Sequence, residues 1–230
     1  MNDNTEKFSG KAGIYSKYRP SYSDKFIDYL YDEVGFSKAG AIADVGAGTG
    51  KFTKLLLERS LKVICVEPNP DMRGQLEITL SQYSNVVIVS ASAEETTLPD
   101  NSVDIITCAQ ALHWFDPNAF WNECRRIGKP DSIVIAIYNN TPGGSSIAHS
   151  KLSTDVFFTN PTIKEFPNPI FYTREKWLTY MTSHSHDPLP SDPNYAEHIA
   201  EMNAVFDREN VNGLLQRDVI TKIYNERVNP

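Results

Sequence analysis

The chain has 230 residues, 40% hydrophobic and 22% charged, enough for one sizeable core with a small cap but cramped for two full domains. Its net charge of -7 argues against nucleic-acid partners, which need clustered Lys and Arg; Lys17–Arg19 and Arg125–Arg126 are too short to form a basic patch. No apolar run approaches the roughly 18 residues of a membrane span, and the polar opening MNDNTEKFSG does not read as a signal peptide, so a cytoplasmic protein without a membrane partner is expected.

In chain order, Phe26, Leu30 and Val34 recur at helical spacing and predict an amphipathic helix. AIADV follows as a first strand, then KVICVE (62–67), VVIVS (86–90), VDIITCA from Val103 and SIVIAIY from Ser132. Their near-continuous Val and Ile suit strands covered on both faces. The intervening helices carry start signals. Asn69-Pro70 and Asp116-Pro117 each set a capping side chain before a proline in the first turn. This alternation predicts βαβ units and a parallel sheet. After Tyr138 the loop-like NNTPGGSSIAHS and Pro161, Pro167 and Pro169 mark an irregular region with a helical insertion. The tail DVITKIYNERV (218–228) reads as a strand, with NPIFYT around Phe171 as its expected partner at the sheet edge.

Cys65, Cys108 and Cys124 have no paired spacing, and the first two lie in apolar runs. Buried thiols in a reducing compartment are expected, rather than a zinc site. His184 and His186 stand beside Asp187 in a proline-rich loop; solvated polar residues fit better than metal ligands, so no metal is expected.

Asp44-Val45-Gly46-Ala47-Gly48-Thr49-Gly50 joins the first strand to a helix. Such a turn aims backbone N–H groups and the positive helix end at a ligand, and glycine permits positive φ and close approach. A bare strand–helix turn is the plain alternative. A phosphate loop would need a hydroxyl after Lys51, where Phe52 stands. The dinucleotide fingerprint G-x-G-x-x-G is compressed here to G-x-G-x-G, and Asp44 is not part of it. Glu67, ending the second strand, can accept hydrogen bonds from both hydroxyls of a ribose. An adenosine-containing ligand without a pyrophosphate fits better than NAD.

These segments, with VEPNPDMR (66–73), SAEETTLPDNSVDIIT, AQALHWFD through Asp116 and the opening FSGKAGIYSKYRPSY, resemble the class I S-adenosylmethionine-dependent methyltransferases. They are most similar to the methyltransferase type 11 group, which includes relatives of the trans-aconitate methyltransferases. The resemblance spans about 8–138. It implies an α/β, Rossmann-like sheet of seven mostly parallel strands with a terminal antiparallel pair, helices on both faces and a small helical cap. Three regions follow: an N-terminal lid and helix (1–36), a cofactor-binding core (37–138), and a cap insertion with terminal strands (139–230). The implied cofactor is S-adenosyl-L-methionine, with S-adenosyl-L-homocysteine as product.

The resemblance also implies that Gly46, Ala47, Gly48 and Gly50 lie under the amino-acid end of the cofactor, with Asp44 bracing that loop or reaching the same end. Glu67 would hold the ribose, with Pro68 and Met72 flanking the adenine and Ser92, Ala93 and Glu94 at its edge. Gln110 would sit beside the methionine portion. Tyr15, Tyr18 and Arg19 would form a lid, Arg19 being available to a carboxylate. His113 is a candidate base or acceptor-orienting group, or a packed loop residue, and Trp114 a candidate pocket wall. Asn139, Asn140 and the insertion through Thr173 lie where relatives build acceptor pockets. A small-molecule methyl acceptor is the expected partner. An NAD-linked oxidoreductase and a cofactor-binding sensor without transfer activity are the competing readings.

Overall fold

A computed structural model describes residues 20–59, 62–141, 153–182 and 187–228. Tyr15, Tyr18, Arg19, His184 and His186 lie outside the described residues.

The runs rich in Val and Ile form the strands they predict: β1 (Ile42–Val45), β2 (Val63–Val66), β3 (Val86–Val89), β4 (Val103–Ala109) and β5 (Gly128–Asn140). With β6 (Thr162–Pro167) and β9 (Ile220–Arg227) they make one seven-stranded sheet ordered β3-β2-β1-β4-β5-β9-β6. β1 to β5 pair in parallel, and β9 runs antiparallel to both β5 and β6. The expected mostly parallel sheet with a terminal antiparallel pair is therefore present.

Side-chain alternation sorts the strands onto two cores. Ala43, Val45, Ile106, Cys108, Val134 and Ala136 face one core with Phe120, Cys124 and Ile127 of helix α4 (Pro117–Ile127). Ile42, Cys65, Ile105, Ile135 and Ile137 face the other. There they meet α1 (Asp24–Tyr29), α2 (Lys51–Leu57) and α3 (Pro70–Leu80). Both faces of each strand are thus apolar, which is why these runs lack alternation in the sequence. Cys65, Cys108 and Cys124 are buried free thiols.

The predicted caps form. Asn69 accepts from Met72 N and Asp116 from Ala119 N, each with proline in the first turn. In α1, Ser23 caps the start, and wider π-helical turns from Leu30 to Val34 end at Gly35, where φ is +104°.

One expectation fails. The tail strand β9 does not pair with the segment around Phe171; its partner is β6, in register from Thr162↔Asn225 to Pro167↔Ile220. The Phe171 segment is β7 (Ile170–Tyr172), which pairs with β8 (Leu215–Arg217) in a separate two-stranded sheet. β6 needs little apolar content because it is an edge strand; Phe166 packs on Phe26 and Tyr29 at 5.6 and 5.2 Å, and Lys164 lies over the Tyr29 ring and pairs with Glu33. Between β6 and β9 the chain leaves the sheet for a cap. The cap comprises β7, α5 (Arg174–Tyr180), α6 (Tyr195–Glu209) and β8, with its own core of Tyr172, Trp177, Met202, Phe206 and Leu215.

Candidate functional site

The β1–α2 turn stands at the carboxyl end of the parallel strands, where open α/β sheets bind ligands. Its first two amides, Gly46 N and Ala47 N, donate to Val66 O at 2.8 and 3.1 Å, so the turn hugs the end of β2. All three glycines have positive φ, but their surroundings differ. A Cβ at Gly46 would stand 2.7 Å from Ala111 Cβ and 2.9 Å from Phe115 Cζ, and one at Gly50 would stand 2.6 Å from Leu76 Cδ1. A Cβ at Gly48 would meet nothing within 4 Å. Gly46 is therefore required by the β4 exit loop, and Gly50 by the packing of α2 on α3. Gly48 alone presents open space.

Asp44 is fully buried and accepts from Thr53 Oγ1 (2.5 Å) and Thr107 Oγ1 (2.9 Å), tying β1 to α2 and β4. Burial pushes its carboxyl up to about 6, against the two threonine bonds. Of the two roles open to it, bracing is the one its bonds serve.

Glu67 makes the second tie. One carboxylate oxygen accepts from Gly48 N at 2.8 Å and the other from Asn69 N at 2.9 Å. Burial raises this carboxyl, while the Asn69 and Gly48 amides and the Arg73 charge pull it back. Arg73 Nη1 donates to Glu67 O at 3.0 Å and also to Pro68 O. Each Glu67 oxygen keeps a lone pair beyond its amide bond. In the glycine turn, Thr49 Oγ1 is buried with no hydrogen-bond partner among the described residues.

The β3 exit loop carries Ser92, Ala93 and Glu94 and is fastened twice to α4. Glu94 Oε1 accepts from Asp116 N at 2.9 Å. Buried Glu123 accepts from Thr96 N at 2.7 Å and Thr96 Oγ1 at 2.5 Å. Burial alone would raise Glu123, but the bonds from Arg126 and Thr96 outweigh it and hold the carboxyl below its ordinary range. After β4, Gln110 adopts φ +60°, a conformation that L-residues rarely take, and its N–H donates to Ile137 O at 2.8 Å.

These elements enclose a pocket of about 220 Å³. Asp44, Gly46, Ala47, Gly48, Glu67, Pro68, Met72, Ser92, Ala93, Glu94, Gln110 and Trp114 all line it. Gly50 does not, consistent with its packing role. His113 does not line it either: it is exposed, with its ring 4.7 Å from Trp114 and 6.2 Å from Tyr138. Its neighbour Trp114 turns inward in its place.

Sequence reasoning missed Tyr22, Lys51, Phe52, Asn69, Tyr180 and Val219 on the same wall. Lys51 and Phe52 adjoin the glycine turn and Asn69 lies within VEPNPDMR, so all three could have been found by proximity. Tyr22 closes the recognised opening FSGKAGIYSKYRPSY, whereas Tyr180 and Val219 arrive from the cap and from the residue before β9, and no local signal marks them. Among the described residues no cluster of three or more His, Cys, Asp or Glu is placed to hold a metal, and no helix is long and apolar enough to cross a membrane.

Sheet order, glycine turn and strand-end acid together define the class I methyltransferase fold. Residues 43–136 match the family model Methyltransf_11, described as a methyltransferase domain. Over that span, from β1 to β5, the chain is similar to this family. It is 39% identical over 137 residues to an uncharacterized methyltransferase of Mycobacterium tuberculosis, covering 60% of this chain and 54% of that protein. The chain thus spans about half the length of the curated relatives it matches. Among solved structures, a candidate type II methyltransferase from Anaeromyxobacter dehalogenans superposes with TM-score 0.61 at 20% identity, over 93% of this chain and 99% of that one. A SAM-dependent methyltransferase from Aquifex aeolicus superposes with TM-score 0.54 at 21% identity, over 67% and 89%.

Proposed function

We propose that the chain is an S-adenosylmethionine-dependent methyltransferase acting on a small organic acceptor. The observation that carries this reading is one pocket bringing together the open face of Gly48, the orphaned hydroxyl of Thr49 and the Glu67 carboxylate. These groups fit the cofactor. The turn from Gly46 to Gly48 would hold the methionine portion, with Gln110 beside it. Glu67, with an amide on each oxygen and lone pairs to spare, would accept the two ribose hydroxyls. Pro68 and Met72 would flank the adenine, and Ser92, Ala93 and Glu94 would meet its edge.

When bound, S-adenosylmethionine supplies a methyl group already activated by the positive sulfonium. The residues of the chain then have two tasks: to align an acceptor and to keep water out. Tyr22, Trp114, Phe115, Tyr180 and Val219 give the pocket an apolar wall for both. An acceptor arriving with a free lone pair needs no protein base. We assign His113 to supporting Trp114 in the β4 exit loop rather than to proton transfer. The acceptor half of the pocket draws on Asn139, Tyr180 and Val219, all from the 139–230 region. The buried free thiols support the cytoplasm as the site of action.

The test is thermal unfolding with S-adenosylhomocysteine, S-adenosylmethionine and NAD. A ligand at a hundred times its dissociation constant stabilises by about 2.7 kcal/mol, which raises Tm by roughly 5–11 °C for a chain of this size. Shifts with the two adenosyl ligands and none with NAD are expected. A shift with NAD alone would overturn the reading.

A further inference from the structure

Asn168 is buried in the turn between β6 and β7 and does not itself line the pocket. Its Nδ2 donates to Ser21 O at 2.7 Å, across 147 residues of sequence. Its own N–H donates to Val219 O at 2.7 Å, on the pocket wall. Asn139, at the end of β5, donates from Nδ2 to the same Ser21 carbonyl at 3.2 Å. Asn139 Oδ1 in turn accepts from Thr221 Oγ1 at 2.6 Å. Two side-chain amides on separate elements thus saturate one backbone carbonyl.

The residues on either side of that carbonyl, Pro20 and Tyr22, both line the pocket. The Tyr22 ring meets Phe52 edge-on at 5.3 Å and Phe26 at 5.5 Å. Phe52 belongs to the first turn of α2, directly after the glycine turn. The segment Pro20–Tyr22 is therefore a wall of the pocket whose backbone is fixed from the opposite end of the chain.

We propose that Asn168 is a positioning residue: by clamping the Ser21 carbonyl together with Asn139, it holds Tyr22 against the glycine turn and so sets affinity for the adenosyl ligand. This rests on the reading of the pocket as an adenosylmethionine site. The clamp explains why a polar side chain stays buried at the base of the cap. Without its donor, the carbonyl of a non-helical segment loses its shorter bond and keeps the longer one from Asn139, so the segment that carries Tyr22 is held less firmly.

The test measures S-adenosylhomocysteine affinity by calorimetry at pH 8 for the wild type, Asn168→Ala, Asn168→Asp, Tyr22→Ala and the Asn168→Ala/Tyr22→Ala double variant, each with its unfolding midpoint. Asn168→Ala is expected to weaken binding roughly tenfold, the factor that about 1.4 kcal/mol represents. Asn168→Asp keeps the shape but turns an acceptor toward the carbonyl, so it should bind at least as weakly. Because Asn168 acts through Tyr22, the double variant should bind no more weakly than Tyr22→Ala alone. Phe206→Leu, within the cap core, serves as the control for lowered stability and should bind as the wild type does. Wild-type affinity in Asn168→Asp, additive losses in the double variant, or an equal loss in Phe206→Leu would each overturn the proposal. Failure of the wild type to bind would instead overturn the adenosyl reading itself.

Discussion

Replacing Gly48 and Gly50 separately by Ala should divide ligand binding from stability. Both have positive φ, +57° and +81°, so an L-residue costs about 1–2 kcal/mol at either site. The narrower freedom of the unfolded chain returns about 0.4–1 kcal/mol of that in both cases. At Gly48 nothing else is lost, because the added Cβ has open space. At Gly50 the same atom would stand 2.6 Å from Leu76 Cδ1 and 3.3 Å from Leu80 Cγ. Leu76 and Leu80 are fully buried between α2 and α3, and overpacking of that kind costs about 1–3 kcal/mol. Gly50→Ala should therefore destabilise by roughly 2–4 kcal/mol, against about 1 for Gly48→Ala. Urea unfolding followed by tryptophan fluorescence reads the stabilities, and calorimetry with S-adenosylhomocysteine reads the affinity. Gly48→Ala should lose affinity at least tenfold with a near-normal midpoint. Gly50→Ala should lose stability yet bind with near-normal affinity below its transition. Equal midpoints for the two variants, or unchanged affinity in Gly48→Ala, would refute the division of labour within the turn.

Asp44 has a folded pKa of about 6 against an ordinary 3.8, so the folded state holds a proton that the unfolded state releases. Its stabilising contribution is complete below about pH 4 and is lost as pH rises through about 6, an effect of about 3 kcal/mol. Asp44→Asn should flatten that decline in unfolding free energy measured from pH 4 to 7; an unaltered slope would place the proton elsewhere. Glu67→Gln keeps one acceptor for Gly48 or Asn69 but loses the other, and should weaken S-adenosylhomocysteine binding at least tenfold while the fold survives. Unchanged affinity would remove Glu67 from the ligand site. His113→Ala should leave S-adenosylhomocysteine affinity within twofold, because its ring lies outside the pocket wall. A tenfold loss in calorimetry would put it back among the binding groups.

Much of the parallel sheet and its glycine turn was legible because its signals are local. Five strands stand out as Val and Ile runs, since the sheet is covered on both faces, and Asn69 and Asp116 announce helix starts through side-chain capping. The bounds of β5 were less clear. It begins at Gly128 rather than Ser132, through Pro130 and a left-handed Asp131 at φ +67°, residues that break the usual strand pattern. β6 was missed as the partner of β9 because an edge strand with one anchoring phenylalanine carries almost no hydrophobic pattern. Gly50 looked like its neighbours in sequence, and only the position of Leu76 separates its purpose from that of Gly48. Tyr180 and Val219 meet the motifs only through long-range folding, so no window of sequence could place them; Tyr22 lies inside the opening motif, but its approach to Phe52 is equally long-range.

The insertion between β6 and β9 leaves and rejoins the sheet at points that touch, Asn168 N to Val219 O at 2.7 Å. A segment whose ends already meet adds little chain-closure entropy to folding when its length changes. It also packs around a core of its own. The cap can therefore be regarded as a graft on a finished scaffold, free to vary in sequence and length while the sheet beneath it stays the same. Tyr180, which the cap brings to the pocket, belongs to the graft, while the glycine turn, Asp44 and Glu67 belong to the sheet and its loops.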